Sequence, residues 1–156
     1  KISVLMVGKQ PMKDAKTDSG YHQRLTHYIG FETRIIPELK NIKNLPVNEQ
    51  KEKEADLILK QLEPADEVIL LDEKGKTLTS VGFAGFLETK MLASTKKLVF
   101  VIGGPFGFSE RVYQRADQLL SLSAMTFSHQ MIRLLFAEQL YRAMTIIKGK
   151  TIIISK

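Results

Sequence analysis

Four side chains in the last third of the sequence are of types that bind anions or transfer protons: His129, Arg133, Glu138 and Arg142. Glu138 precedes Arg142 by four residues, a spacing that favours an ion pair on one helix worth only about 0.2–0.5 kcal/mol. One interpretation is that the carboxylate holds the Arg142 guanidinium against a phosphate or a developing anion. The alternative is an intrahelical ion pair with no further role. Arg133 is a candidate for the same role, and His129 is a weaker acid–base candidate whose alternative is capping or packing.

A glycine-rich segment, LVFVIGGPFG at residues 98–107, is a second candidate site. Gly103 and Gly104 follow a continuous apolar run, and Ser109 stands at the start of a predicted helix. Glycines let backbone N–H groups approach a ligand closely, and α/β sheets bind ligands at the carboxyl ends of their strands. The segment lacks the Gly-Lys-Ser/Thr of a Walker loop and the spacing of a GxGxxG turn. A tight strand-to-helix turn without a ligand is therefore the alternative.

A third candidate is the segment LLSLSAMTFSHQ at residues 119–130, which mixes small, polar and apolar residues without a regular period. Such segments can surround a ligand with apolar walls and a few polar main-chain groups. The alternative is a short edge strand followed by a helix cap, and the residues themselves do not separate the two.

Composition excludes several classes of chemistry. The 156 residues include no cysteine, so a thiolate nucleophile, a disulfide scaffold, a Cys-ligated zinc site and an iron–sulfur cluster are excluded. His22, His27 and His129 form no HxH or HExxH pattern, and no metal site is predicted. No apolar stretch approaches the roughly 18 residues of a membrane span, and no signal segment opens the chain. We therefore expect a soluble, cytoplasmic protein.

The formal net charge of +6 is concentrated near the C-terminus, where residues 111–156 hold seven basic and two acidic side chains. A local positive excess favours polyanionic partners, of which nucleic acid is the commonest. Many mildly basic domains bind no nucleic acid, so composition alone leaves an RNA partner as one of two interpretations.

The elements that position these candidates alternate between strand and helix. Strands are predicted at residues 2–7, 31–36, 68–71 and 98–102, and helices at 21–29, 48–62 and 80–92, with a short helix from a Ser109 cap to near Leu119 and a last long helix capped by Ser128. Ser80 is the predicted cap of the helix over 80–92. The runs at 68–71 and 98–102 are apolar throughout, as is typical of strands buried on both faces. The pattern predicts one α/β domain over residues 1–156, with a mostly parallel sheet and helices on both faces.

Four motifs then occur in order along the chain: LDEKGK at 71–76, VIGGPFG at 101–107, LSAMTFSH at 122–129 and EQLYRA at 138–143. With these motifs the chain resembles, over essentially its whole length, the small SPOUT-class methyltransferases that modify pseudouridine in large-subunit ribosomal RNA. The resemblance implies a C-terminal trefoil knot, a rare exception to unknotted topology. It also implies S-adenosylmethionine as the cofactor, a homodimer with the active site near the subunit interface, no metal, and methyl transfer to N3 of a pseudouridine in the assembled ribosome.

The resemblance assigns residues to these roles. Those expected to hold S-adenosylmethionine are Leu71, Gly103, Gly104, Leu122, Ser123, Ala124, Met125, Thr126, Phe127 and Ser128. Arg142, Arg133 and, more weakly, His129 are expected to bind RNA phosphate, to stabilise the deprotonated base or to move its proton.

One part of the chain departs from the family pattern. Family members usually end in Tyr-His-His or Tyr-His-Arg, whereas residues 151–156 read TIIISK. Our hypothesis for this ending is a shifted reading frame in the coding DNA. If the ending is genuine, we expect cofactor binding to survive and methylation to be weak or absent. A non-catalytic RNA- or ribosome-binding module with this fold, and a related methyltransferase of transfer RNA, remain alternatives.

Overall fold

Five parallel strands form one sheet in the computed structural model, which describes residues 1–8, 30–37, 44–93 and 97–149. The strands are β1 (Ile2–Val7), β2 (Phe31–Ile36), β3 (Glu67–Thr77), β4 (Leu98–Ile102) and β5 (Gln118–Ser121). They lie in the order β2-β1-β4-β3-β5, and each neighbouring pair is parallel. The helix predicted over 21–29, His22, His27 and the ending at 151–156 lie outside the described residues.

Helices cover both faces of this sheet. The described residues form α1 (Val47–Lys60), α2 (Ser80–Leu92), α3 (Glu110–Arg115) and α4 (His129–Ile147). Helices α2 and α4 pack on one face and α1 and α3 on the other. The predicted α/β class, with a parallel sheet between helices, is confirmed. No helix in the described part of the chain combines the length and apolar character needed to cross a membrane.

Two hydrophobic cores follow from the alternation of side chains along each strand. In β1, Val4 and Met6 face α2 and α4, whereas Leu5 and Val7 face α1 and α3. Phe100 of β4 contacts Phe136 of α4 with ring centroids 4.8 Å apart, and both side chains are almost fully buried. Burial of each such side chain stabilises the fold by about 1.5–3 kcal/mol. Burial on both faces is why β1 and β4 are continuous apolar runs in the sequence.

The structure corrects the predicted cap of α2. Thr79, rather than Ser80, is the N-cap residue, and its Oγ1 accepts the N–H of Gly82 at 2.9 Å. The N-cap needs an extended backbone, which Thr79 has, whereas Ser80 is already the first helical residue. The Ser80 hydroxyl instead donates to Oε1 of Gln139 on α4 at 2.8 Å. The prediction that Ser128 caps the last helix is confirmed, because its Oγ accepts the N–H of Met131 at 3.2 Å.

The helix predicted to run to Leu119 ends four residues earlier, at Arg115. The chain then turns into β5, in which Leu119 pairs with Leu70 of β3. The Asp117 carboxylate fixes this change by accepting the N–H of Val68 at 2.7 Å. Buried backbone N–H and C=O groups need hydrogen-bond partners. The edge of β3 offers such partners to residues 118–121, which therefore form a strand and do not continue the helix.

A bulge interrupts β3 where it pairs with β5. Leu71 and Lys76 both pair with Leu120, so residues 72–75 leave the ladder between them. Gly75 lies so close to β5 that a Cβ placed on it would be 2.5 Å from the Leu120 nitrogen, and only glycine fits there. The bulge directly follows the buried part of β3, so it places its side chains beside the carboxyl ends of the neighbouring strands.

Candidate functional site

A cavity of about 480 Å³ opens at the carboxyl ends of β3, β4 and β5. Leu71, Ile102 and Leu120 give it an apolar wall, and Lys51 and Asp72 contribute charged groups. Small-molecule sites typically measure about 300–1,000 Å³, with mostly apolar walls and a few polar groups. The carboxyl edge of a parallel sheet is also where such ligands bind. The cavity therefore has the size, character and position of a small-molecule site.

The cavity brings together most of the residues predicted from the sequence to hold a cofactor. Those that line it are Leu71, Gly103, Gly104, Leu122, Ser123, Met125, Thr126 and Phe127. Ala124 and Ser128 belong to the same loop but are not lining residues, and Ser128 serves as the cap of α4. Segments far apart in the sequence thus meet at one cavity.

The glycine turn after β4 forms one side of the cavity. A Cβ on Gly103 would lie 2.9 Å from two ring atoms of Phe108, which is buried beneath the turn. Gly107 has a φ of +81°, in the left-handed region that favours glycine, and its N–H donates to the Gly104 carbonyl at 3.2 Å. The turn therefore follows a path that exposes backbone to the cavity and that side chains would obstruct.

The loop at residues 122–128 forms the opposite side, and serines hold its shape. The Ser121 hydroxyl donates to the Ser123 carbonyl at 2.9 Å, and the Ser123 Oγ accepts the N–H of Met125 at 2.9 Å. Met125 and Phe127 line the cavity while remaining 73% and 40% exposed. These apolar side chains at the cavity mouth are available to a ligand or a macromolecular partner.

His129 and Arg133 lie one turn apart at the start of α4, near Gly8 at the end of β1. His129 lines the cavity. Arg133 is only 3% exposed and donates from Nη2 to the Val7 carbonyl at 2.9 Å, which ties α4 to β1. A Cβ on Gly8 would lie 3.4 Å from that nitrogen and 4.0 Å from Nε2 of His129. The two predicted side chains thus share one corner of the site, and Arg133 has a clear structural contact there.

Arg142 is not at the cavity of its own chain. It forms the predicted ion pair with Glu138, in which Nη2 and Oε1 are 2.5 Å apart and both side chains are about three-quarters buried. Arg142 follows His129 by thirteen positions on α4, which corresponds to about 20 Å along the helix axis. The structure therefore keeps the Arg142 guanidinium oriented but remote from the cavity that its own chain forms.

Asp72 and Tyr113 also line the cavity, although the sequence did not predict either as a site residue. The Tyr113 hydroxyl donates to Asp72 Oδ2 in a short hydrogen bond, and the Lys74 N–H donates to Oδ1 at 2.8 Å. Burial, followed by the hydrogen bond to Asp72, raises the pKa of Tyr113, so the hydroxyl keeps its proton. The position of Asp72 directly after a buried strand was a usable signal, but nothing in the sequence linked Tyr113 to it.

Glu54 of α1 lies behind the glycine turn. A Cβ on Gly104 would lie 3.3 Å from both of its carboxylate oxygens. Burial raises the pKa of Glu54 because desolvation disfavours the charged form. The ranges 1–8, 30–37, 44–93 and 97–149 contain no group of three or more His, Cys, Asp or Glu side chains able to hold a metal ion.

Glu54→Gln is expected to stabilise the fold by an amount that depends on pH. Because folding raises the pKa of Glu54, the folded state binds the proton more tightly than the unfolded state does. The carboxylate therefore destabilises the fold increasingly as the pH rises from 4.5, the ordinary pKa of the group, through the raised pKa of the folded state. We expect the variant to unfold at a higher temperature than the parent near neutral pH, and the difference to shrink in acid. Thermal melts across this range measure it, and an equal difference at all pH values would contradict the assignment to ionisation.

Gly103→Ala is expected to destabilise the fold by about 1–3 kcal/mol, because the new methyl group overlaps the buried Phe108 ring. Urea denaturation measures the loss. Adding Phe108→Leu removes the ring atoms that the methyl group meets, so the double variant should lose less than the sum of the two single variants. Strictly additive losses would show that Gly103 and Phe108 do not interact in this way.

The chain is similar in sequence to known methyltransferases. The family model described as "Predicted SPOUT methyltransferase" matches residues 1–151. Proteins named ribosomal RNA large subunit methyltransferase H are similar to the chain: that of Parabacteroides distasonis is 54% identical and that of Flavobacterium johnsoniae 53% identical, each covering 96% of both sequences. The solved structure of a probable methylase family protein from Haemophilus influenzae Rd KW20 aligns with 97% of this chain and 69% of its own, with 16% identity and a TM-score of 0.49.

Proposed function

The chain belongs to the SPOUT methyltransferase family, and from this premise we propose that it methylates N3 of a pseudouridine in large-subunit ribosomal RNA, with S-adenosylmethionine as the methyl donor. Relatives more than 50% identical over nearly their whole length are named large-subunit rRNA methyltransferases, which supports rRNA as the substrate. The observation that carries the proposal is the 480 Å³ cavity, where the glycine turn, the loop at 122–128 and the end of β3 meet.

The residues of the cavity fit the methyl donor. The apolar side chains of Leu71, Ile102 and Leu122 suit a purine base, and the exposed backbone of the glycine turn and of the loop at 122–128 offers hydrogen-bonding groups. A charged wall from Asp72 suits the polar groups of the ligand. When bound, S-adenosylmethionine supplies a methyl group on a sulfonium, which is already activated for transfer. The chain must then position the acceptor and manage its proton.

The acceptor N3 must lose a proton before or during the transfer, so a base or a stabiliser of the resulting anion is required. His129 lines the cavity, which supports a role in exchanging a proton with a bound base. Arg133, tied to the end of β1, can contribute positive charge at the same corner. Arg142 bears a guanidinium oriented by Glu138 and suited to an RNA phosphate or the deprotonated base.

We assign Arg142 to the active site of a partner subunit in a homodimer. The separation of about 20 Å along α4 keeps it away from the cavity of its own chain. A second copy that packs its α4 against the cavity mouth would bring its Arg142 to the site. The exposed Met125, Phe127 and Met131 beside the start of α4 give that contact an apolar surface.

We propose that the C-terminal part of the chain forms a trefoil knot. The chain leaves β5 at one edge of the sheet, and its next segment lines the cavity at the ends of β3 and β4. Helix α4 then reaches β1, the strand beyond β4 and three strands from β5, through the contact of Arg133 with the Val7 carbonyl. This return across the sheet at the level of the glycine turn supports a threaded path for residues 122–147.

The proposed substrate is the assembled ribosome, and the proposed location is the cytoplasm. We expect the ribosome to provide a large surface complementary to this domain. The positive charge of the C-terminal third favours docking on RNA phosphates.

The test is methyl transfer from labelled S-adenosylmethionine to ribosomes of a strain that lacks this modification, followed by mass spectrometry of the nucleosides. We expect label in N3-methylpseudouridine of the large-subunit RNA. Label only in transfer RNA would favour the related tRNA enzyme, and no binding of S-adenosylmethionine by calorimetry would favour a non-catalytic module. A parallel assay with a Tyr-His-His ending in place of residues 151–156 separates a loss caused by that ending from a wrong assignment.

A further inference from the structure

Asp72 is the carboxylate of the cavity wall whose orientation is most tightly defined. It follows Leu71 at the start of the bulge in β3, and both residues line the cavity. Its two oxygens are held separately, Oδ1 by the Lys74 N–H at 2.8 Å and Oδ2 by the Tyr113 hydroxyl. A carboxylate oxygen can accept more than one hydrogen bond, so both oxygens retain capacity for a ligand.

Tyr113 reaches Asp72 from α3, 41 residues further along the chain. Its ring is held from two directions: the Phe108 ring contacts it edge-on with centroids 5.9 Å apart, and the Lys74 ammonium lies 5.2 Å from its centroid. Tyr113 itself lines the cavity. The Tyr113 hydroxyl thus holds the Asp72 side chain in one rotamer beside the cavity. Fixing a rotamer costs conformational entropy, which a contact with a ligand can offset.

Resting on the proposed function, we propose that Asp72 accepts hydrogen bonds from the ribose hydroxyls of the methyl donor and that Tyr113 is the positioning residue that aims it. A carboxylate beside the end of a parallel strand is well suited to a vicinal diol, because its two oxygens can meet two adjacent hydroxyls. Asp72 would thereby select a ribonucleoside ligand.

The neighbours of Asp72 favour the ribose over the amino-acid end of the ligand. The apolar wall suited to the purine includes Leu71, which directly precedes Asp72, and Ile102, which pairs with Leu71 across the sheet. The ribose is bonded directly to the purine, whereas the amino-acid ammonium is at the far end of the molecule.

Calorimetry with three probes tests the proposal: S-adenosylhomocysteine, 5′-methylthioadenosine, which keeps the ribose but lacks the amino acid, and the 2′,3′-dideoxy form of the latter. We expect Asp72→Asn to weaken the first two by about 10-fold to 100-fold and Tyr113→Phe by about 3-fold to 10-fold. Both variants should bind the dideoxy probe as the parent does, within about 2-fold, because the hydroxyls that Asp72 reads are missing.

Glu110→Gln is the matched control, because it removes an exposed negative charge from α3 near Tyr113 without altering a cavity-lining residue. It should leave all three affinities unchanged. If Asp72→Asn weakened S-adenosylhomocysteine but not 5′-methylthioadenosine, Asp72 would bind the ammonium and the proposal would be overturned. Unchanged affinities in both variants would overturn it while leaving the proposed function intact. Failure of the parent to bind S-adenosylhomocysteine would instead contradict the proposed function itself.

Discussion

Gly75→Ala is expected to lower the free energy of unfolding by about 3 kcal/mol or more and to abolish most ligand binding at the cavity. The new Cβ would lie 2.5 Å from the Leu120 nitrogen and 2.6 Å from the Leu119 carbonyl carbon. Both are backbone atoms paired with β3, so no side-chain rotation relieves the overlap. β5 must move away from the bulge, and Leu120, a cavity-lining residue, must move with it. Urea denaturation and calorimetry with S-adenosylhomocysteine measure the two effects.

Gly85→Ala is the control for this prediction. Gly85 lies within α2, and a Cβ there would meet no atom within 4 Å. Alanine loses less backbone entropy in a helix, so this variant should be more stable than the parent by about 0.5–1 kcal/mol. If Gly75→Ala were as stable as the parent, the close approach of β3 to β5 at this residue would be wrong.

Arg142→Gln is expected to reduce the methylation rate by about 10²- to 10³-fold while leaving the affinity for S-adenosylhomocysteine unchanged. The glutamine keeps much of the size of the side chain but removes the guanidinium that pairs with Glu138 and that the proposed function assigns to the RNA. Because Glu138 is about three-quarters buried, loss of its ion pair should lower the stability by about 1–3 kcal/mol. Methyl transfer to unmodified ribosomes, calorimetry and thermal melts report the three quantities separately.

Arg111→Gln provides the matched control. Arg111 is also a guanidinium paired with carboxylates, those of Glu52 and Asp56, but it ties α3 to α1 on the surface. Its replacement should leave methylation near the parent rate. A rate for Arg142→Gln within about 2-fold of the parent would show that the ion pair with Glu138 is the whole role of Arg142.

Mixed dimers test where Arg142 acts. A chain with Arg142→Gln keeps its cavity-lining residues, whereas a chain with Thr126→Trp, at an exposed cavity-lining position of the loop at 122–128, is expected to have a filled cavity and keeps Arg142. If the arginine serves the partner's site, coexpression of the two chains should restore methylation that neither variant has alone. Absence of recovery in dimers shown to contain both chains would place Arg142 elsewhere, on the RNA-binding surface of its own subunit.

Local sequence patterns predicted some of the strands but not others. β1, β2 and β4 have the predicted bounds. β1 and β4 are buried on both faces and are therefore almost entirely apolar in sequence, whereas β2 is only partly buried and shows a mixed pattern of polar and apolar residues. The extension of β3 to Thr77 was not predicted, and β5 matches the short edge strand that was the alternative interpretation of the segment at 119–130. The extension of β3 includes charged residues and a glycine, and its strand conformation depends on pairing with β5, which has no local signature.

By itself, the sequence determined the α/β class, the family, and the segments that line the cavity, because motifs and hydrophobic periodicity are local properties of the chain. Only the tertiary structure decided which side chains meet. It placed His129 at the cavity, kept Arg142 about 20 Å along the helix from it, buried Arg133 against the end of β1, and joined Tyr113 to Asp72 across 41 residues. The physical reason is that such contacts depend on strand order and on the path of the connections, and neither is encoded in any single stretch of residues.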